Sequence, residues 1–258
     1  MVIKPMQRPV WQLENGQARM RQANLSACID VSRPSGGLSE LRTAEQLSGA
    51  RILQVQLPVA LAGAEPSVEC YGRGGDLIAT YAESPDWPFR AQIYWRALSH
   101  AASNEVSAVE LVASVQTSLL DADPSTAVSS TLPLTEAHWL RDVASGQYET
   151  LSPGDELSFS RSESPVCCVV CRLQQSSLSY AEMVHPDNFY RFQLRARREP
   201  SNAAYNARLH HQLFPQRLEK GVILRARVLG VFLPRADDLA AAARHYALFA
   251  ATGPPLTV

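Results

Sequence analysis

The sequence predicts a mainly β protein: a single large two-sheet antiparallel β-sandwich over residues 1–258, with one helix near the C-terminus. Three observations lead to this fold class. Apolar and polar residues alternate over many short segments, turns rich in glycine and proline separate those segments, and only one long stretch has clear helical periodicity. We find no internal repeat, low-complexity tract or linker, so the sequence indicates one domain.

The strand predictions depend on this period-two alternation. In residues 51–59, every second residue from Leu53 onward is Leu or Val, and the glutamines between them fall on the other face. Residues 109–119 alternate in the same way, which is typical of half-buried strands in antiparallel sheets. Residues 68–83 predict a hairpin, because GRGGD at their centre supplies residues that tolerate positive φ in a turn.

Two segments are predicted to be helical. Residues 135–144 (TEAHWLRDVA) predict a short helix with Thr135 as its N-cap. Residues from about 236 to 251 predict the C-terminal helix, since apolar side chains recur at helical spacing and Asp237 lies at the positive end of the helix dipole. Pro254 prevents continuation of this helix.

Composition limits the classes of partner. The formal net charge is −1, which argues against a general nucleic-acid binder. The opening residues contain no apolar segment typical of a secretory signal, and no run of 18 apolar residues predicts a membrane span. Five cysteines without a signal indicate reduced thiols, and therefore a cytoplasmic location. The sequence does not predict an oligomeric state.

The cysteine cluster CCVVC resembles a metal motif only superficially. Cys168 and Cys171 have C-x-x-C spacing, but on a strand Cys167 and Cys171 share one face while Cys168 takes the other. A structural zinc site needs four ligands, and Cys28 and Cys70 are single residues without a paired neighbour. We therefore interpret the cluster as a buried strand and predict neither a metal nor a cofactor.

Three predicted strands each place several arginines on one face. Arginine is the usual basic residue of this chain, since lysine occurs only as Lys4 and Lys220. The guanidinium fork suits carboxylates, phosphates and sugar hydroxyls of fixed geometry. The alternative is a solvated sheet face whose arginines pair with carboxylates such as Glu69 and Glu110. The arginines are Arg90 and Arg96 on the first strand, Arg191, Arg195 and Arg197 on the second, and Arg225 and Arg227 on the third.

Aromatic residues accompany the first arginine strand and could stack on the C–H faces of a sugar ring. Parity places Phe89 and Trp95 on the face opposite the arginines, which indicates core packing. Tyr94 and Trp87 are therefore the residues expected to be available to a ligand.

The segment YAEMVHPDNF brings Glu182 and His185 close together in sequence. An acid–base pair is chemically reasonable, because histidine titrates near neutrality. Strand parity, however, points the two side chains to opposite faces unless the corner at Pro186 turns His185 round. A metal site with His210 and His211 and a plain polar corner are the alternatives. No nucleophile elbow, phosphate-binding loop or dinucleotide fingerprint occurs.

Two segments resemble aldose-1-epimerase (galactose mutarotase)-like proteins. Residues 13–41 (LENGQARMRQANLSACIDVSRPSGGLSEL) resemble the opening strand pair and its Gly-Gly turn, and residues 218–232 (LEKGVILRARVLGVF) resemble a late turn and long strand of that group. The resemblance implies a sugar-binding sheet in a large mutarotase-like "supersandwich". The Asn-His-x-Tyr-Phe-Asn-type segment with the catalytic histidine of that family is absent, so no catalytic residue is carried over.

Together these observations predict a carbohydrate-binding or carbohydrate-active protein whose partner is a small sugar or sugar acid. If it is an enzyme, Glu182 and His185 are the candidate base and acid, in epimerisation or in β-elimination on a uronate. The alternative is a non-catalytic interaction module of the same fold. The predicted substrate-binding residues, on a concave sheet face, are Arg90, Tyr94, Arg96, Glu110, Gln116, Arg191 and Arg195.

Overall fold

The computed structural model describes residues 9–22, 24–58, 66–99, 106–151, 154–198, 205–214 and 216–253. Within these ranges the chain forms 17 β-strands, one α-helix and two short 3₁₀ turns at Pro34–Gly36 and Arg235–Asp237. The strands and the helix are β1 (Trp11–Glu14), β2 (Gln17–Gln22), β3 (Leu25–Asp30), β4 (Ser39–Arg42), β5 (Arg51–Gln56), β6 (Val68–Arg73), β7 (Asp76–Tyr81), β8 (Phe89–Ser99), β9 (Ser107–Thr117), β10 (Ala127–Asp142), β11 (Gln147–Leu151), β12 (Glu156–Ser160), β13 (Cys168–Leu173), β14 (Leu178–Val184), β15 (Phe189–Arg198), β16 (Tyr205–Leu213), β17 (Ile223–Pro234) and α1 (Asp238–Ala250).

All strand pairs are antiparallel, and β10 joins the two main layers. Strands β1 to β4 form a small sheet in chain order, and the other 13 strands run in the order β12-β15-β16-β10-β13-β14-β17-β9-β8-β7-β6, with β5 and β11 also paired to β10. The first part of β10 pairs with β5 and β16, and the last part pairs with β13 and β11. We call β5, β12, β15 and β16 layer A, and β13, β14, β17 and β9 to β6 layer B.

The two layers enclose one core because alternate residues of each point inward. Ile93 and Trp95 of layer B and Phe192 and Leu194 of layer A are buried in the same apolar cluster, which the small sheet joins through residues such as Met20. Fully burying side chains of this size stabilises the fold by about 1.5–3 kcal/mol each. The predicted antiparallel two-sheet sandwich with a C-terminal helix is confirmed.

Helix α1 covers part of the outer face of layer B. Its buried side chains Ala242, Tyr246 and Phe249 belong to a second apolar cluster that includes Cys168 and Met183. The helix therefore occupies residues 238–250, close to its predicted bounds. Across the described ranges, no helix is both long and apolar enough to cross a membrane.

The structure confirms the buried cysteine strand and corrects the other helix prediction. Cys167 and Cys171 are buried in the core, and Cys168 lies on the α1 side, as strand parity requires. Residues 135–144, predicted as a helix, mostly belong to β10. Isolated helices this short are marginally stable, whereas this segment pairs with β11 on one side and β13 on the other while Trp139 enters the core.

Candidate ligand-binding face

The outer face of layer B presents an ordered array of side chains on β6, β7, β8, β9 and β17. On these strands every second residue enters the core, so the residues between them point outward. Because the strands pair in register, the outward side chains line up in rows across the sheet. The three central rows are Glu69–Thr80–Gln92–Ser114–Arg225, Tyr71–Ile78–Tyr94–Val112–Arg227 and Arg73–Asp76–Arg96–Glu110–Leu229.

A polar groove of about 250 Å³ lies at the end of this face that is farthest from the Arg96 row. Arg90 and Gln116 are cross-strand partners there, next to the row that contains Gln92, Ser114 and Arg225. Arg225 Nε donates a hydrogen bond to Ser114 Oγ at 3.1 Å, which holds its guanidinium over the groove. The side chain of Arg90 is exposed at the rim. The groove therefore offers two guanidinium groups, two amides and a hydroxyl.

An apolar strip borders the groove. Ile78, Tyr94 and Val112 form a small buried cluster on this outer face, and Tyr71 extends the strip to the sheet edge with half of its side chain exposed. The Tyr94 hydroxyl donates to Gln92 Oε1 at 2.9 Å and so connects the strip to the polar row. Ile78, Tyr94 and Val112 are at most 4% exposed, so Tyr71 is the member of the strip that presents a ring to solvent.

Beyond the strip, four charged residues form an ion-pair network. Arg96 bonds Asp76 through Nε at 2.9 Å and Nη2 at 3.3 Å, and its Nη1 lies 3.5 Å from Glu110. Arg227 Nε donates to the other Glu110 oxygen at 2.5 Å. The hydrogen bond to Asp76 raises the pKa of Arg96, against the opposing effect of burial. Glu110 is 4% exposed, so these arginines neutralise a buried carboxylate.

Arg227 also connects this network to the end of α1. Its Nη1 donates to the carbonyls of Thr252 and Gly253, the latter at 3.0 Å, and its guanidinium carbon lies 4.6 Å from the centre of the Phe249 ring. Of the predicted ligand-binding residues, Arg90 and Gln116 therefore line the groove, Tyr94 lies beside it, and Arg96 and Glu110 are engaged in a structural network.

Glu182 lies between the layers rather than on this face. It is completely buried, and its Oε1 accepts a hydrogen bond from His211 Nε2 at 2.7 Å. Its Oε2 accepts bonds from the Tyr180 hydroxyl at 2.7 Å and from Ser130. Since Glu182 and Tyr180 belong to layer B and His211 and Ser130 to the layer-A side, this network bridges the two layers through the core.

The side chain of His185 points in the opposite direction from that of Glu182, to the outer side of layer B beneath α1. Its backbone N–H donates to the Arg227 carbonyl at 3.1 Å, and its ring lies 5.7 Å from the Phe249 ring. Burial lowers the pKa of His185, and nearby Arg227 lowers it further, while Asp187 opposes the shift. Strand parity therefore holds here without any re-aiming by the corner at Pro186: Val184 enters the core and His185 lies on the outer side, where α1 covers it. The structure does not bring the predicted base Glu182 and acid His185 together.

The second arginine set lies on the other side of the sandwich. Phe192 and Leu194 of β15 enter the core, so Arg191 and Arg195 point away from layer B on the outer face of layer A. Arg195 pairs with Glu156 at 2.8 Å on the exposed surface. The expectation of one cleft containing both arginine sets is therefore corrected.

Both predicted aromatic platforms are corrected, since Tyr94 is only 4% exposed, in a small buried cluster with Ile78 and Val112. Trp87 is buried, and its Nε1 donates to the Pro58 carbonyl at 3.0 Å, because the bend before β8 turns it into the core. Tyr71 and Ser114, by contrast, were not predicted as ligand contacts. Ser114 pairs directly with Gln92 of β8, and Tyr71 lies in register with Tyr94 of β8 through Ile78 of β7. The register between the predicted β6–β7 hairpin and β8 is therefore the signal that would have identified Tyr71. Among the described residues, no group of three or more His, Cys, Asp or Glu side chains is arranged to hold a metal ion.

Comparisons with known proteins support a fold rather than a family. No protein-family model matches the chain, and no curated protein matches it significantly. The chain is similar in structure to a protein from Klebsiella pneumoniae assigned as an aldose 1-epimerase, with a TM-score of 0.56 and 9% identity over 94% of this chain and 87% of that one.

A TPR-domain-containing protein from Parabacteroides distasonis is similar to the same degree, with a TM-score of 0.56 and 8% identity. That match covers 93% of this chain and 49% of the other, so this chain spans about half the length of that protein. At such low identity the likeness concerns the fold alone. The chain has the mainly β, two-layer antiparallel sandwich fold of mutarotase-like proteins.

Proposed function

We propose that this protein binds a sugar acid in the groove on the outer face of layer B and does not catalyse a reaction there. The observation that carries the proposal is the composition of the groove. Arg90 and Arg225 flank hydrogen-bonding side chains of Gln92, Ser114 and Gln116, and no carboxylate lines the groove among the described residues.

Each part of the groove matches one part of a uronate. A guanidinium fork pairs with a carboxylate in a charge-assisted, bidentate contact. Amide and hydroxyl groups can both donate to and accept from ring hydroxyls. Tyr71, half exposed at the sheet edge, is the residue of the strip that offers an apolar surface for the C–H face of the ring. The groove volume of about 250 Å³ suits one sugar unit rather than a long chain.

The arrangement supports binding rather than catalysis. Epimerisation and elimination both require a proton acceptor and a proton donor within hydrogen-bond reach of the sugar. Neither a carboxylate nor an imidazole lines the groove among the described residues. Glu110 is held by two arginines, and Glu182 and His185 are enclosed by the core and by α1 respectively. A catalytic role for Glu182 and His185 remains a hypothesis that this geometry does not support.

Titration calorimetry with glucuronate and galacturonate, and with glucose and galactose as neutral controls, tests the proposal. We expect the uronates to bind more tightly than the neutral sugars, and Arg90→Ala to weaken uronate binding about tenfold, the effect of one charge-assisted hydrogen bond. Arg208→Ala, on the outer face of layer A, is the matched control and should leave binding unchanged.

Two results would overturn the proposal. Uronate binding that is absent, or that Arg90→Ala and Arg208→Ala weaken equally, would remove the groove as the site. Faster interconversion of glucose or galactose anomers in the presence of the protein, measured by polarimetry, would instead contradict the non-catalytic assignment.

A further inference from the structure

A second and larger cavity lies apart from the groove. It has a volume of about 1080 Å³ and shares no residue with the groove. Its walls come from the β2–β4 end of the small sheet, the turn between β13 and β14, the end of β17 with the turn before α1, and Ser107 of β9.

The floor of this cavity is apolar. Leu25 and Phe232 are buried core residues that form part of its wall, at 1% and 2% exposure. Leu178 and Pro234 are partly buried beside them. Apolar walls of this kind favour a ligand that brings apolar surface of its own, because both surfaces then leave water.

The rim of the cavity carries positive charge that no carboxylate in its wall offsets. Arg21 and Arg42 lie on either side of Ser26, their common cross-strand neighbour, and Arg235 faces them from the β17–α1 turn. No Asp or Glu is among the described residues that line the cavity. Three arginines without an acidic residue in the same wall favour an anion, and the acidic residue Glu40 lies in a neighbouring groove that Arg21 and Arg42 also line.

Two buried polar atoms in the same wall lack a hydrogen-bond partner. These are Arg235 Nε, a donor, and Gln22 Oε1, an acceptor. The Arg235 guanidinium is anchored on its other side, where Nη2 donates to the Leu173 carbonyl at 2.5 Å, so Nε is held in place. Water does not reach either atom, so a ligand in the cavity would not contact them; the wall instead offers a ligand the remaining part of the anchored Arg235 guanidinium.

We propose that this cavity binds an amphiphilic anion: a molecule in which a carboxylate, phosphate or sulfate group is attached to an apolar chain or ring. The anionic group contacts Arg21, Arg42 and Arg235, and the apolar part covers Leu25 and Phe232. This site is separate from the proposed sugar-acid groove and does not depend on it.

Calorimetry with octyl phosphate and octanoate, both below their micellar concentrations, tests this site and separates the two head groups. Octanol and inorganic phosphate are the controls for the apolar part and the charge alone. We expect at least one of the octyl anions to bind about tenfold or more tightly than either control. Equal binding of octanol and both octyl anions would overturn the proposal, as would the absence of any binding.

Variants locate the site. Arg42→Ala should weaken binding of the octyl anion about tenfold, whereas Arg208→Ala, on the outer face of layer A, should leave it unchanged. Ser177→Trp provides an independent check, because Ser177 is exposed on the cavity wall and an indole there would occupy the cavity without entering the core. Unchanged binding in both Arg42→Ala and Ser177→Trp, or equal losses in Arg42→Ala and Arg208→Ala, would place the ligand elsewhere.

Discussion

Replacement of Glu182 tests the description of the core most directly. Glu182 is completely buried and accepts three hydrogen bonds, from His211, Tyr180 and Ser130. In Glu182→Ala these three donors lose their acceptor in a space that water does not reach. Each unsatisfied buried group costs about 1–3 kcal/mol, so three such groups toward the low end of that range cost about 4 kcal/mol. We expect a loss of about 4 kcal/mol, a large part of the stability of a typical domain, which is about 5–15 kcal/mol.

Glu182→Gln is the matched variant because it keeps the shape and most of the hydrogen bonds. The amide oxygen can accept from Tyr180 and Ser130, and the amide nitrogen can donate to His211 Nε2. His211 then carries its proton on Nδ1, which lies 3.6 Å from Cys167 Sγ. All groups remain satisfied, so the expected cost is about 1 kcal/mol, the scale of one ordinary hydrogen bond.

Urea unfolding, followed by far-UV circular dichroism, measures both changes. With a slope of about 3 kcal/mol per molar urea, Glu182→Ala should lower the unfolding midpoint by about 1.3 M and Glu182→Gln by about 0.3 M. A loss below about 1.5 kcal/mol for the alanine variant would mean that water reaches this network. Equal losses in the two variants would show that the charge of Glu182, rather than its hydrogen bonds, stabilises the core.

Two further predictions concern stability. Gly230→Ala should cost about 1–3 kcal/mol in the same urea assay, because the added Cβ would lie 2.9 Å from Cε2 of the buried Tyr180 ring. Gly36→Ala is the control. Its added Cβ meets nothing within 4 Å, so this variant should cost much less. Stability should also fall as the pH is lowered from about 7.5 to 5.5. Burial is the chief cause of lowered pKa values for three histidines in the folded state, whereas a histidine in the unfolded chain has a pKa of about 6.5. Below that pH the unfolded chain therefore binds more protons than the folded protein, and stability is lost. A midpoint that is unchanged or higher at pH 5.5 would contradict this. The histidines are His138, His185 and His210.

Local periodicity was sufficient to predict the strands and the side of each strand that a residue occupies. The division of Cys167 from Cys168 and the outward direction of Arg90 and Arg96 both follow from parity, since successive side chains alternate whatever the strand packs against. The error at residues 135–144 arose because Trp139 and Leu140 are adjacent apolar residues. In β10 these two side chains lie on opposite faces of the strand and both are buried. Their adjacency in sequence resembles the pattern of a short helix.

Parity could not predict which strands share a surface. Arg191 and Arg90 both point outward, yet their strands belong to different layers and their side chains lie on opposite sides of the molecule. The pairing of Glu182 with His211 likewise joins strands that are brought together only by the complete sheet order. These relations depend on long-range pairing, and no short stretch of sequence encodes them.

The double pairing of β10 has a consequence for how the chain folds. Its first part needs β5, which precedes it by about 70 residues, and β16, which follows by about as many, while its last part needs β11 and β13. During synthesis, the apolar faces of β5 and β10 therefore remain exposed to solvent until β16 has been made and the core can close. Such non-local contacts slow folding to the millisecond-to-second range or beyond. We expect a slow folder whose partly synthesised chain is prone to aggregation until β16 has emerged from the ribosome.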